Sequence, residues 1–233
     1  MKSIGLIGGM SWESSLEYYR LVNEGIKTRL GGLHSAKCIM VSVDFAEIEA
    51  FQRTGQWDRS AQVLAEAAQG LERAGADCVI LCTNTMHKVA GAIQATVKIP
   101  LIHIADPTAE KIRLAGIQRV GLLGTRFTME EDFYKNRLIE RFGLDVLIPE
   151  PDQRDCVHRV IYDELVLGVI RDESRLEYKS IISDLVRRGA QAIILGCTEI
   201  GLLVGPEDSP VPLFDTTSLH AEAAVDFALK DRI

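Results

Sequence analysis

Two short segments carry the residues best suited to chemistry: Cys82-Thr83-Asn84-Thr85 and Gly196-Cys197-Thr198-Glu199. Each follows an apolar run that reads as a buried strand and sits where that strand meets a helix N-terminus. Free backbone N–H groups and the positive end of a helix dipole favour anions at such a junction. A cysteine placed there is expected to have a lowered pKa and to be partly thiolate. The flanking Gly196, Thr198 and Glu199 are poor neighbours for an inert core cysteine, so Cys197 reads as the reactive thiol. Successive strand side chains point to opposite faces. If Thr83 faces the site, Cys82 faces the packing and reads as structural. Cys38 and Cys78 lie inside apolar strands and read as core, while Cys156, beside Gln153-Arg154-Asp155, reads as surface.

Gly8-Gly9-Met10-Ser11 ends the first strand, with glycines that suit a tight turn presenting N–H groups to a ligand. It lacks the frame of a phosphate loop, and Gly5, Gly8 and Gly9 do not space as G-x-G-x-x-G, so nucleotide binding is a minor alternative. Gly124-Thr125-Arg126-Phe127-Thr128 is its second-half counterpart, with hydroxyls that could bind a carboxylate. His87 and His103 read as satisfied structural histidines. No histidine pair has metal-ligand spacing, and G-x-S-x-G is absent. The residues point to thiol chemistry or to none.

These segments need strands to position them, and apolar runs alternating with amphipathic stretches supply the pattern of a parallel α/β protein. Strands are expected at Ser3–Ile7, Cys38–Val43, Asp77–Leu81 and Leu101–Ile104, then at Arg119–Leu123, Asp145–Ile148, Ala192–Leu195 and Val211–Phe214. Helices are expected over Ser14–Leu30, Trp57–Ala74, Met129–Phe142, Val157–Ile170, Ser174–Arg188 and Leu219–Leu229, with Ser174 and Glu177 a possible capping box. The unit occurs twice. Ile4-Gly5-Leu6-Ile7-Gly8 returns as Val120-Gly121-Leu122-Leu123-Gly124, and Leu71–Thr83 matches Leu185–Cys197 without a gap. In that register Thr83 falls on Cys197. The expected fold is α/β, with two pseudo-symmetric domains that are each a short parallel sheet flanked by helices. The N-terminal domain takes 1–100 plus 210–233 and the C-terminal domain 101–209. The active site is expected in the cleft between them, at the carboxyl ends of the strands.

The bulk numbers limit the function. At 233 residues, 47% apolar and 25% charged, the chain can bury a sizeable core. Its formal charge of −7 comes without a dense Lys/Arg run, which argues against a nucleic-acid partner. The N-terminal apolar run is too short for a signal sequence, and no stretch reaches the length needed to span a bilayer. Five scattered cysteines argue against a disulfide framework and point to a reducing cytoplasm.

Leu6-Ile7-Gly8-Gly9-Met10-Ser11-Trp12-Glu13-Ser14, Asn84-Thr85, Gly196-Cys197-Thr198-Glu199 and Phe214-Asp215-Thr216 together resemble the aspartate/glutamate racemase family over essentially the whole chain. That resemblance implies a dimeric enzyme needing neither pyridoxal phosphate nor metal. It also implies two cysteines, one on each face of the substrate's α-carbon, exchanging its proton. Here Thr83-Asn84-Thr85 stands where such racemases read C-N-T, which implies catalysis by Cys197 with Thr83 as a slow partner and unequal handling of the two enantiomers. Further substrate contacts implied are Met10, Ser11, Asn84, Thr85, Thr198 and Glu199, with Glu199 a candidate holder of the α-ammonium, and the Thr125 hydroxyl noted above joins them as a candidate contact. Gln52 and Arg53 could clamp a side-chain carboxylate, a task to which arginine is suited. A lysine often carried near position 166 by members taking acidic substrates is absent. The competing readings are a broad-specificity amino-acid racemase, a single-cysteine malonate-type decarboxylase and a catalytically idle binding protein.

Overall fold

A computed structural model describes residues 1–230 of the chain. The last three positions of the expected N-terminal domain, 231–233, lie outside the described residues. The described residues divide into two compact units, residues 1–104 with 217–230, and 105–216.

In the first unit, β1 (Ile4–Gly8), β2 (Cys38–Ser42) and β3 (Cys78–Leu81) form a parallel sheet in the order β2-β1-β3. Its helices are α1 (Trp12–Leu30), α2 (Phe45–Arg53), α3 (Trp57–Arg73) and α4 (Ala90–Gln94). Strand alternation sorts the sheet's side chains. Ile7, Val79 and Leu81 pack with Leu64, Ala68 and Leu71 of α3 and with Ile48 of α2. Ile4, Leu6, Cys78, Ile80 and Cys82 pack on the other face against Tyr18, Val22 and Ile26, a stripe of three residues spaced four apart on α1. Fully burying each such aliphatic side chain contributes about 1.5–3 kcal/mol.

The second unit contains α5 (Ala105–Leu114), β4 (Arg119–Gly124), α6 (Arg126–Glu130), α7 (Asp132–Asn136), β5 (Asp145–Leu147), α8 (Pro151–Asp163) and α9 (Asp172–Arg187). It ends with β6 (Ala192–Gly196), α10 (Ile200–Leu203), β7 (Leu213–Asp215) and the first residue of α11 (Thr216–Leu229). Its parallel sheet runs β5-β4-β6-β7. Leu123, Ile193 and Leu195 pack against Val157, Val160 and Ile161 of α8 and Ile181, Ile182 and Leu185 of α9. The rest of α11 belongs to the first unit, where Ala221, Ala224 and Val225 join the core facing α1.

The internal repeat is exact in register. Ile4 pairs with Cys78 as Val120 pairs with Ala192, and Ile7 with Leu81 as Leu123 with Leu195. The equivalence also explains where the expected boundaries differ from the structure. Leu101–Ile104 does not form a fourth strand; it leaves one parallel bridge, Leu101 to Val79. The repeat places Leu213, which pairs with Ile193 in β7, at that same position. Beyond the bridge, side chains compete for the backbone: Gln94 accepts from the Leu101 N–H (2.7 Å) and His87 from the Ile104 N–H (3.1 Å). The first unit therefore keeps 101–104, and the second keeps 210–216 through β7.

Three helices also differ from expectation. The Met129–Phe142 helix is broken at Glu131, whose backbone is extended, and finishes in a π-helical stretch, Arg137–Arg141. Asp106 of α5 holds Arg137 through two hydrogen bonds (2.6 and 2.7 Å) and Arg141 through a third (3.2 Å), fixing that irregular turn. α8 starts earlier, at Pro151, and ends at Asp163, short of Gly168 with its left-handed backbone. α9 begins at Asp172, so Ser174 is no cap; its hydroxyl donates to the buried Glu164 (2.6 Å).

Candidate active-site loops

In each unit two neighbouring strands, β1 and β3 in the first and β4 and β6 in the second, end in a pair of loops. In the first, β1 leads into Gly9-Met10-Ser11 and β3 into Cys82-Thr83-Asn84-Thr85. Gly9 has φ +88°, and a Cβ there would lie 2.1 Å from the Val43 carbonyl oxygen, so only glycine permits this close turn. Ser11 caps α1 by accepting from the Ser14 N–H (3.3 Å). Ser15 accepts from the Gly9 N–H (2.7 Å), and the Ser14 hydroxyl donates to the Cys82 carbonyl (2.7 Å). These two serines brace both loops. They escaped sequence reading, where they look like ordinary first-turn residues.

Met10, Ser11, Thr83, Asn84 and Thr85 are all buried. Gln52 of α2 is buried too and donates to the Met86 sulfur (3.0 Å), which ties it to the same loop. Arg53 is not brought there: its side chain is 69% exposed and lies 3.6 Å from Glu49. Adjacent residues on a helix point in different directions, so burying Gln52 turns Arg53 outward. Cys82 packs with Ile4, Leu6, Cys78 and Ile80, as strand alternation requires, and burial pushes its thiol pKa up.

In the second unit the paired loops begin at Gly124 and Gly196, which are register partners. A Cβ on Gly196 would approach the Leu123 carbonyl oxygen to 2.7 Å. Thr125 is buried, accepts from the Thr128 N–H (3.3 Å) and caps α6. Cys197, Thr198 and Glu199 follow β6, all buried, and the Ile200 N–H returns to the Cys197 carbonyl (3.1 Å). The Cys197 Sγ donates to Glu199 Oε2 (3.0 Å), and the Thr198 hydroxyl donates to the same oxygen (2.6 Å).

This geometry reverses the expected thiolate. The Cys197 pKa is pushed well above the ordinary cysteine value, first by burial and then by the Glu199 carboxylate. The backbone N–H groups of Thr198 and Glu199 act in the opposite direction but are outweighed. α10 is a single turn, so its dipole offers little to offset a neighbouring full charge. Burial also raises Cys38, Cys78 (to about 12) and Cys156 (to about 11). Cys156 also donates to a carboxylate, Glu177 (3.1 Å), but it is only half-buried on α8; Cys197 differs in holding its carboxylate-bonded thiol buried in a Gly-Cys-Thr turn at a strand end. A buried thiol hydrogen-bonded to a carboxylate can donate a proton directly, and can accept one after passing its own to that carboxylate. Among the described residues, no group of three or more His, Cys, Asp and Glu side chains could hold a metal ion. No described helix is long and apolar enough to cross a membrane.

Two parallel sheets with equivalent strand-end loops, one bearing a cysteine–carboxylate pair, match a known class of isomerases. The chain belongs to the Asp/Glu/Hydantoin racemase family, whose pattern it matches over residues 7–224. It is 55% identical to a Yersinia pestis protein whose crystal structure is described as that of a candidate Asp/Glu racemase; 98% of this chain and 100% of that one are covered, with a TM-score of 0.92. An aspartate racemase homologue from Pyrococcus horikoshii OT3 is 34% identical, with 98% and 99% covered and a TM-score of 0.84. The broad specificity amino-acid racemase RacX of Bacillus subtilis (strain 168) is 23% identical over 172 residues, 72% of each chain.

Proposed function

We propose that the protein is an amino-acid racemase acting on aspartate or glutamate, with Cys197 exchanging the α-proton and without pyridoxal phosphate. The hydrogen bond from Cys197 Sγ to Glu199 Oε2 carries this reading. The Sγ proton passes to Glu199 along that bond, and the thiolate then removes the α-proton of the enantiomer presented to it. Burial of the thiol strengthens it as a base, because a desolvated thiolate binds protons tightly. Backbone N–H groups of the strand-end loops, with the Thr85, Thr125 and Thr198 hydroxyls, supply donors for the substrate carboxylate and its developing negative charge.

Thr83 serves the opposite face of the α-carbon. Its hydroxyl is too weakly acidic to act as an alkoxide base, but it relays a proton from water to the carbanion. In one turnover the α-proton ends on Cys197, the proton held by Glu199 returns to solvent, and water supplies the new α-proton. The enantiomer whose proton faces Cys197 is then handled much faster than the other. The overall equilibrium is unaffected, since a catalyst changes only rates.

A broad-specificity racemase is the second reading, and the outward position of Arg53 favours it by removing one expected side-chain clamp. The deciding experiment incubates the protein in D₂O with each enantiomer of aspartate, glutamate and alanine, following α-proton loss by NMR. Exchange of one acidic enantiomer, abolished in Cys197→Ser, is the expected result. Faster exchange of alanine than of either acid would establish the second reading. Absence of exchange with all six would overturn both.

A further inference from the structure

The Thr83 loop has an unusual backbone arrangement. After β3 the chain enters a 3₁₀ turn, Thr85–Val89, instead of an α-helix. In an α-helix the residue-87 N–H would bond to the residue-83 carbonyl. Here the His87 N–H bonds to Asn84 (3.0 Å), and the Thr83 carbonyl accepts instead from His87 Nδ1 (2.9 Å). The imidazole thus replaces a missing backbone donor in a buried turn. Because a carbonyl only accepts, Nδ1 carries the proton and Nε2 keeps its lone pair. The Ile104 N–H donates to that lone pair (3.1 Å). Both contacts require the same neutral tautomer, and burial holds the ring's pKa well below the usual histidine value.

Neighbouring groups lock this ring in place. The His103 ring meets it edge-on at 4.6 Å and the His220 ring at 5.6 Å. His220 Nε2 donates to the Ile102 carbonyl (2.7 Å), while its Nδ1 accepts from the Tyr18 hydroxyl (2.8 Å). Two imidazoles therefore grip residues 102 and 104, and through His87 that grip extends to Thr83.

We propose that His87 is a positioning residue for Thr83: its Nδ1–H fixes the Thr83 peptide and so aims the Thr83 hydroxyl for proton delivery. This rests on the reading of Thr83 given above. His87 exchanges no proton with substrate, since both of its nitrogens are committed to backbone groups.

Asparagine can place an amide N–H near the Nδ1 position, whereas glutamine places its carbonyl oxygen near Nε2. His87→Asn keeps the Thr83 contact and loses the Ile104 contact; His87→Gln does the reverse. The quantity measured is racemised product formed per α-proton exchanged, using the enantiomer whose proton faces Cys197. That ratio is expected to be about tenfold lower in His87→Gln than in His87→Asn, within the usual effect of a misplaced proton donor. Equal ratios in the two variants, with wild-type exchange intact, would overturn the proposal. Long-range ¹⁵N NMR of the wild-type imidazoles gives an independent check. His87 is expected to show the Nδ1–H tautomer unchanged from about pH 8 to about pH 5, well below the ordinary histidine pKa. An Nε2–H tautomer or a titration in that range would sink the idea whatever the enzyme assay shows. Failure of wild-type exchange would count against the racemase reading alone.

Discussion

Replacing Glu199 with glutamine is the sharpest test of the Cys197 environment. The two side chains have the same shape, and an acceptor oxygen can still receive the Cys197 proton, but the negative charge is gone. At 3.0 Å, a thiolate and a carboxylate repel by about 5 kcal/mol at an effective dielectric constant of about 20. That figure is an upper bound, since neighbouring N–H groups and water screen the pair. A third of it, about 2 kcal/mol, would still raise the thiolate population more than tenfold, because each ~1.4 kcal/mol is a factor of ten. A less basic thiolate is also a weaker nucleophile, so about half of the gain on a logarithmic scale reaches the reaction rate. Alkylation of Cys197 by iodoacetamide at pH 7 is therefore expected to rise between about fivefold and about a hundredfold in Glu199→Gln. Mass spectrometry of the Cys197 peptide reads this directly, with half-buried Cys38 and Cys156 as internal references. Over the same change, α-proton exchange should fall by roughly a hundredfold if Glu199 accepts the thiol proton. A Cys197 alkylation rate that stays level or falls, with the reference cysteines unchanged, would refute the claim that Glu199 holds the thiol protonated.

Thr83→Cys should accelerate α-proton exchange of the slower enantiomer by about a hundredfold or more, since it installs a competent acid–base group at the position equivalent to Cys197; an unchanged rate removes Thr83 from the mechanism. Gly196→Ala should cost about 1–3 kcal/mol in urea unfolding, because its Cβ would press on the Leu123 carbonyl at 2.7 Å at the last paired position of β6. An unchanged midpoint would mean that β4 and β6 can separate without penalty. Stability should also fall with acidification. His87 stays neutral when folded, whereas the unfolded ring takes up a proton below its ordinary pKa of about 6.5. Its contribution is thus complete above about pH 6.5 and is lost below it, by up to about 1.4 kcal/mol per pH unit. Burial shifts His158 in the same direction. Urea midpoints between pH 7.5 and 5.5 test this, and a flat profile in that range would contradict a buried neutral His87 (both pH limits chosen as roughly one unit either side of the unfolded value).

Much of this architecture is legible in the amino-acid order because strands announce themselves locally. The short apolar runs around Ile4, Cys78, Val120 and Ala192 need no tertiary information, and the matched Arg-x-Gly-Ala turns place them in equivalent registers. Alternation continued from β3 also suffices to send Cys82 into the packing with Ile4, Leu6 and Ile80. The misread parts depend on partners distant in sequence. Leu101–Ile104 has strand-like composition, yet Gln94, His87 and His220 take its backbone groups. The Met129–Phe142 periodicity is helical, but Asp106 grips two of its arginines and reshapes its end. The position of Cys197 at a strand end, among backbone dipoles, suggests a thiolate. The opposing influence, the Glu199 carboxylate two residues on, was visible in sequence as a substrate contact, but its rotamer toward Sγ was not.

The core that α11 completes has a consequence for how the protein is made. Ala221, Ala224 and Val225 cover Ile4, Leu6, Cys78 and Ile80, residues synthesised far earlier. Chains often fold from their N-terminus as they emerge. Here the first unit cannot complete one face of its sheet until residues 105–216 have been synthesised. The segment 105–216 is contiguous, so it is free to fold while the first unit waits with that face covered by α1 alone. A circular permutant beginning at residue 105, with the old ends linked, would make α11 and β1 neighbours in synthesis and abolish that wait. Its refolding in vitro should resemble the parent's, while its yield during translation should be less dependent on chaperones.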